Sequence, residues 1–347
     1  MTHILMVAAE NGALPGGKVG GIGDVVREIP GALAQCNCTV SVVTPAYGVF
    51  DSLDGARQLQ VLRVKFAGRI ESLKLFQLDQ VGDGMVHHYV IEHPLFSSCG
   101  AGRIYCDDPP GQPFKTDASK FALFCLGVAE AIKKSVFAEL EVLHLHDWHA
   151  AFLCILRRFD KNYRSLQDLR CVYSIHNLAV QGIRPFAGND SSLEQWYPGL
   201  AYERKLLADP RWSDCVNPMA SAIRLADAVH TVSPSYAEEI LLPGDPEHGK
   251  HGGEGLDQDL RNANEDVDLV LARANKFRAV FQRYCELDHQ FPFLFERSFS
   301  NDDANANRWR FPDAVVVDWQ VGHIGEDGFS LDSGQIDVRR RLSSPPF

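Results

Sequence analysis

Residues 18–25, KVGGIGDV, constrain the fold more than any other part of the chain. An apolar run at residues 3–9 precedes them, and Val25, Val26, Ile29 and Leu33 follow at helical spacing despite Pro30. Residues 39–44, TVSVVT, then read as a second strand closed by Pro45. Strand, glycine loop, helix and strand make a parallel β-α-β unit with a right-handed crossover. Such a loop can direct backbone N–H groups and a helix N-terminus at a phosphate. Lys18 adds a mobile cation, and Gly20 and Gly21 let a ligand approach the backbone closely. The spacing is neither G-x-G-x-x-G nor a Walker A loop. A tight structural turn explains the glycines equally well on this segment alone.

The same alternation continues. Residues 57–90 carry Val61, Leu62, Val64 and Phe66 and read as further strands, some in an edge meander. Residues 96–113 are a loop, 117–137 a helix, 142–146 a strand, 148–158 a helix and 171–175 a strand. Residues 217–226 form a short helix and 228–232 a strand. Ser233 then caps a helix with Pro234 at its first position, in competition with a capping box from Ser235 and Glu238. The predicted fold class is α/β, a doubly wound Rossmann-like parallel sheet. Residues 244–255 read as a polar loop, 267–285 as a helix, 299–307 as a linker and 314–319 as a strand. Arg339, Arg341 and the last residues read as an unstructured end, and weak signals after Phe295 predict low order there.

Composition narrows the function classes. The 347 residues are 45% hydrophobic and 23% charged, with a net charge of −11. Nucleic acid and anionic membranes are therefore not expected partners, and no run has the length of a membrane span. The N-terminus lacks the basic and apolar regions of a signal peptide. Nine cysteines without C-x-x-C pairs suit reduced thiols rather than a disulfide framework. The expected location is cytoplasmic, or a plastid if a transit peptide has been removed.

Three later segments carry chemistry: residues 144–149 (HLHDWH), 174–182 (SIHNLAVQG) and 231–240 (TVSPSYAEEI). Open parallel sheets bind ligands beyond the carboxyl ends of their strands. The glycine loop, Asp147 and His176 each follow a strand, so one sheet edge can gather Lys18, Asp147 and His176. Taken singly, Lys18 reads as a solvated lysine before a ligand group, and for His176 a strand-end histidine is an equally plain reading. His144 and His146 share one side of a strand and with Asp147 could begin a metal site; a buried strand is the stronger reading. The pairs His87/His88 and His248/His251 read as solvated or loop histidines. Cys125 and Cys154 read as core thiols. Trp148 reads as a packing anchor before a sugar surface, as do Trp196, Tyr197 and Tyr202.

Together and in this order, the four motifs resemble those of bacterial glycogen synthases and plant starch synthases, over residues 1–256. The resemblance implies one half of a two-domain GT-B architecture. It implies transfer of glucose from ADP-glucose, or UDP-glucose in some members, to the non-reducing end of an α-1,4-glucan with retention. No metal or other cofactor is implied. Lys18 lies near the donor phosphates, and Gly20 and Gly21 cradle the diphosphate. Asp147 lies near the reacting sugar, and His176 helps position the transition state; these two are the expected catalytic residues. The family's second domain begins after a G-E-G-L segment, here Gly253-Glu254-Gly255-Leu256. Residues 257–347 show none of its arginine, lysine or E-P-C-G-L type motif, so they are expected to be a divergent tail without the nucleotide-binding domain. A chain of this kind is expected to be inactive alone or to need a complementary domain. The alternative is a non-catalytic α-glucan-binding or remnant domain. An exposed apolar inter-domain face is expected, with self-association through it.

Overall fold

The computed structural model describes residues 2–265, apart from 80, 82, 83, 246–248 and 250, and also 322–325 and 328–331. The chain divides into two compact units, residues 1–108 with 114–295 and residues 109–113 with 296–347. In the first, β1 (Thr2–Val7), α1 (Gly21–Gln35) and β2 (Cys38–Pro45) make the expected crossover, with β1 and β2 parallel. β3 (Ala56–Phe66), β4 (Arg69–Leu78) and β5 (Val86–Glu92) follow, then α2 (Lys115–Lys133), β6 (Leu140–His146), α3 (Asp147–Phe159) and β7 (Arg170–Ile175). Short pieces come next: β8 (Arg184–Pro185), α4 (Leu193–Trp196), α5 (Arg204–Leu207) and β9 (Cys215–Val216). α6 (Pro218–Leu225), β10 (Ala228–Thr231), α7 (Pro234–Ile240) and α8 (Asp257–Glu265) complete this unit's described elements. In the second unit, β11 (Gly322–Gly325) and β12 (Gly328–Leu331) form an antiparallel hairpin that the sequence pattern does not announce.

The main sheet has the order β10-β7-β6-β1-β2-β5-β4-β3. Strands from β10 to β5 are parallel, and β4 and β3 make the antiparallel edge meander expected from residues 57–90. The β3–β4 turn uses Ala67 and Gly68, both at positive φ (49° and 78°), the backbone a tight hairpin requires. β1 is apolar from Ile4 to Val7 because both its faces are covered there. Ile4, Met6 and Ala8 face a core with Val26 and Leu33 of α1, while Leu5 and Val7 belong to the larger core with residues of α2 and α3. α1 runs through Pro30, which is itself buried. Packing of Val26, Ala32 and Leu33 holds the helix despite the N–H that proline lacks.

Two sequence expectations are corrected here. Cys99 and Cys106 form a disulfide, with Cα atoms 5.7 Å apart. The loop between them turns back through Gly100 and Gly102, both at positive φ, so distant spacing in sequence becomes proximity. Cys125 and Cys154 are core thiols as expected. His88 is not solvated: it is buried within β5, and its Nδ1 accepts from Asn11 Nδ2 at 3.0 Å. His251 is exposed and pairs with Glu254, whereas His248 lies outside the described residues. The readings of 267–285, 299–307, 314–319 and 339–341 also lie outside the described residues. α8, which follows the G-E-G-L segment, packs Leu260 into the core, and Asp259 pairs with Arg224 at 2.6 Å.

Candidate active site

β1 sits mid-sheet, with β2 on one side and β6 on the other. Chain direction across the sheet reverses between β1 and β6, the kind of switch point where open α/β sheets bind ligands. The loops that open there are the one before α1 and the turn from β6 into α3.

The first loop is organised by Glu10, a residue that sequence reasoning did not single out. Its buried carboxylate accepts the Val19 N–H at 2.8 Å and the Gly20 N–H at 2.7 Å through Oε2. Its Oε1 accepts the Tyr105 hydroxyl at 2.7 Å. Thus the Val19 and Gly20 amides hold an internal carboxylate in this structure. α1 begins at Gly21, with Gly20 as an N-cap that offers no side-chain bond. A Cβ on Gly12 would lie 2.6 Å from the Gly23 carbonyl oxygen, so packing demands glycine there. At Gly21 a Cβ would meet nothing within 4 Å, so packing makes no such demand. Lys18 pairs with Asp24 at the surface, and its side chain is 46% exposed.

The second loop is held more tightly. β6 ends at His146, and Asp147 turns the chain into α3 at φ 54°, a backbone that a non-glycine residue adopts only at a cost of about 1–2 kcal/mol. In return, the buried Asp147 Oδ1 accepts the His176 N–H at 2.7 Å and the Asn177 N–H at 3.5 Å. Burial pushes the Asp147 carboxyl up to about 7; the two N–H bonds oppose that rise and Glu10 adds to it. The His176 ring lies beside that of His146, with 2.9 Å between His176 Nε2 and His146 Nδ1. Burial, assisted by His230, lowers His176 to about 3. Burial also carries His146 well below its ordinary value, with His144, His176 and His230 contributing. These rings are therefore neutral near pH 7.

Each expected site residue can now be placed. Asp147 and His176 are in direct contact. Lys18, Gly20 and Gly21 reach them only indirectly: Glu10 binds Tyr105, whose ring lies 5.3 Å from that of His149. The fourth motif joins through Tyr236, whose hydroxyl accepts the Leu178 N–H at 2.9 Å. Ser233, rather than Ser235, caps α7 by accepting the Tyr236 N–H at 3.1 Å. Trp148 is a buried anchor with Phe121 edge-on at 5.4 Å, and Gly182 packs so closely on its ring that no side chain fits. Trp196 and Tyr197 are buried, and Tyr202 stacks on Phe186 at 5.4 Å. Among the described residues no cluster of three or more metal-ligating side chains occurs. His144 bonds Ser174 Oγ at 2.7 Å, so the strand histidines are engaged with neighbours. Of the large apolar side chains exposed among the described residues, only Val19 belongs to the four motifs. No described helix is long and apolar enough to cross a membrane.

Comparison with known proteins assigns this arrangement. The profile of the family described as starch synthase catalytic domain matches residues 3–262. The glycogen synthase of Streptococcus mutans is 34% identical over 281 residues, covering 77% of this chain and 51% of that protein. The glycogen synthase of Anaeromyxobacter dehalogenans is likewise 34% identical, covering 78% of this chain and 51% of its own length. The catalytic domain of starch synthase IV from Arabidopsis thaliana, solved with ADP and acarbose, superposes with a TM-score of 0.61 at 25% identity. That match covers 76% of this chain and 50% of the plant one. Fold and motifs thus define a glycosyltransferase half-domain of the GT-B type. The chain belongs to the starch synthase catalytic domain family, with the glycogen and starch synthases as its relatives. It spans about half the length of the curated relatives it matches.

Proposed function

We propose that this chain supplies the acceptor-side half of a glucosyltransferase that moves glucose from ADP-glucose to the non-reducing end of an α-1,4-glucan with retention. Residues 1–256 form that half and 257–347 a divergent tail, so transfer needs a nucleotide-binding half that these residues do not supply. The observation that carries the reading is the grip of Asp147 on the His176 backbone at the switch point between β1 and β6. It presents a neutral imidazole in a fixed place, as stabilisation of developing charge by preorganised groups requires. In this reading His176 faces the donor glucose and Asp147 fixes it there. Lys18 leaves Asp24 to meet the departing diphosphate. Gly20 and Gly21 keep the backbone bare so that the diphosphate can come close. No step needs a metal, and the site lies in the cytoplasm.

The test is glucose incorporation into glycogen from ADP-glucose, by this chain joined to the nucleotide-binding half of the Streptococcus mutans relative. Incorporation that disappears with Lys18→Ala and with His176→Ala is the expected result. Incorporation indifferent to both substitutions overturns the assignment. Glycogen retention without any incorporation would favour the α-glucan-binding alternative.

A further inference from the structure

We infer that His146 is a positioning residue that sets the tautomer of His176, so that His176 Nδ1 carries the proton and is left as a hydrogen-bond donor. The inference rests on the proposed function only in what the Nδ1 proton is for; the tautomer itself follows from the hydrogen-bonding of two rings.

The contact joins His146 Nδ1 and His176 Nε2 at 2.9 Å. Two nitrogens at that separation share one proton, so one ring donates and the other accepts. Both rings are neutral, because burial disfavours the charged form of each. A neutral imidazole carries a single proton, so the choice at this contact decides what both distal nitrogens are. The distal nitrogen of His146, Nε2, is fully buried and meets no hydrogen-bond partner among the described residues.

Suppose His176 donated. His146 would then accept at Nδ1, and its proton would sit on Nε2, a buried N–H with no acceptor. Orphaned buried N–H groups are rare, and each carries its full desolvation cost. In the opposite arrangement the His146 Nδ1–H donates to His176 Nε2. The atom left bare is then a lone pair, the less costly omission. Hydrogen-bond networks assign tautomers in this way. His176 then has an unprotonated Nε2, and its proton lies on Nδ1.

His176 is the half-buried member of the pair, and His146 is fully buried. The proton therefore lies on the ring nitrogen of His176 that the pair leaves unused. Asp147 fixes the same residue from behind through its backbone N–H. Two successive residues, His146 and Asp147, thus fix the ring and the backbone of His176 separately. This makes Nδ1–H a donor for a sugar hydroxyl or a developing oxyanion, and leaves it unable to take a proton as a base at that atom.

The test is nitrogen-15 NMR on the full chain labelled at histidine, without donor or acceptor, with His176→Gln used to assign the His176 signals. The expected spectrum shows His176 Nδ1 with a directly bonded proton and Nε2 as an unprotonated, pyridine-type nitrogen. His146→Asn, whose amide can still donate from the same place, should keep that pattern. His146→Leu should lose it and shift His176 toward the Nε2–H form. An Nε2–H signal for His176 in the unsubstituted chain overturns the inference, as does an unchanged pattern in a folded His146→Leu protein. The wild-type spectrum decides the matter even if the leucine variant fails to fold. Because no substrate is present, failure here leaves the transferase assignment standing, and failure of the transfer assay leaves the tautomer standing.

Discussion

The two loops at the switch point are built differently. On the β6–β7 side, Asp147, His146 and Tyr236 each hold a piece of residues 176–178, and His146, Asp147 and Leu178 are buried. On the β1 side one carboxylate, Glu10, holds Val19 and Gly20, while Lys18 stands half exposed on a surface ion pair. The first is a finished constellation whose geometry precedes any ligand. The second is a loop whose two amides and lysine are held by internal carboxylates, Glu10 and Asp24, in the role that the proposed diphosphate would take. A transferase needs both: a fixed electrophile-facing group lowers reorganisation at the reacting sugar, and a yielding loop admits and releases a charged donor.

The comparison can be broken most forcefully with acid. Among the described residues, six buried or half-buried histidines are neutral in the fold: His176 at about 3, His88 and His230 at about 4, and His144, His146 and His149 well below the ordinary value. Burial is the leading cause in each. The unfolded chain binds these protons near pH 6.5, and the folded chain binds them only at lower pH, about 3 for His176 and about 4 for His88 and His230. Stability from this source is therefore complete above pH 6.5 and is lost as pH falls through that window. Asp147 acts with opposite sign, since a carboxyl raised to about 7 favours the fold more as pH drops from 7 to 4. One carboxyl does not offset six imidazoles. Urea unfolding at pH 7.5 and pH 5 should differ by more than about 3 kcal/mol, with the acid sample weaker; equal stabilities would refute the buried, neutral cluster.

Gly182→Ala comes next. A methyl group there meets the Trp148 ring at a backbone φ of 67°, so a loss of about 3 kcal/mol in thermal or urea unfolding is expected. Glu10→Ala should cost about 2 kcal/mol, because two N–H donors and the Tyr105 hydroxyl lose a charged acceptor. Glu10→Gln should recover part of that loss in the same assay. The smallest stability effect is expected from Lys18→Ala, under about 1 kcal/mol for an exposed pair. The same substitution should lower transfer by the joined protein roughly 100-fold, the scale for losing one preorganised electrostatic contact. A Lys18→Ala protein that loses much stability but little transfer would reverse the roles given to the two loops.

Much of the fold was legible in the sequence because parallel strands covered on both faces are written as largely apolar or β-branched runs, as in β1, β2 and β7. The helices between them followed from spacing, even through Pro30. Motif order pointed to the family. What stayed hidden depended on contacts between distant residues. Glu10 meets Tyr105 from 95 positions away, and nothing local marks either. The Cys99–Cys106 bridge depends on how one loop folds back, which periodicity does not encode. His88 was misread as solvated because a histidine pair looks polar on paper, whereas its strand is buried continuously from His88 to Ile91. The glycine loop shows a subtler division: Gly12 is required by close packing and Gly21 is not, a distinction that one-dimensional spacing cannot draw.

The claim that one loop is preorganised and the other yielding is tested most directly by amide hydrogen exchange on the full chain, alone and with Asp147→Ala. The His176 amide should exchange far more slowly than those of Val19 and Gly20, and Asp147→Ala should abolish that protection while leaving the glycine loop unchanged. Equal protection at the two loops, or a His176 amide indifferent to the loss of Asp147, would contradict the account.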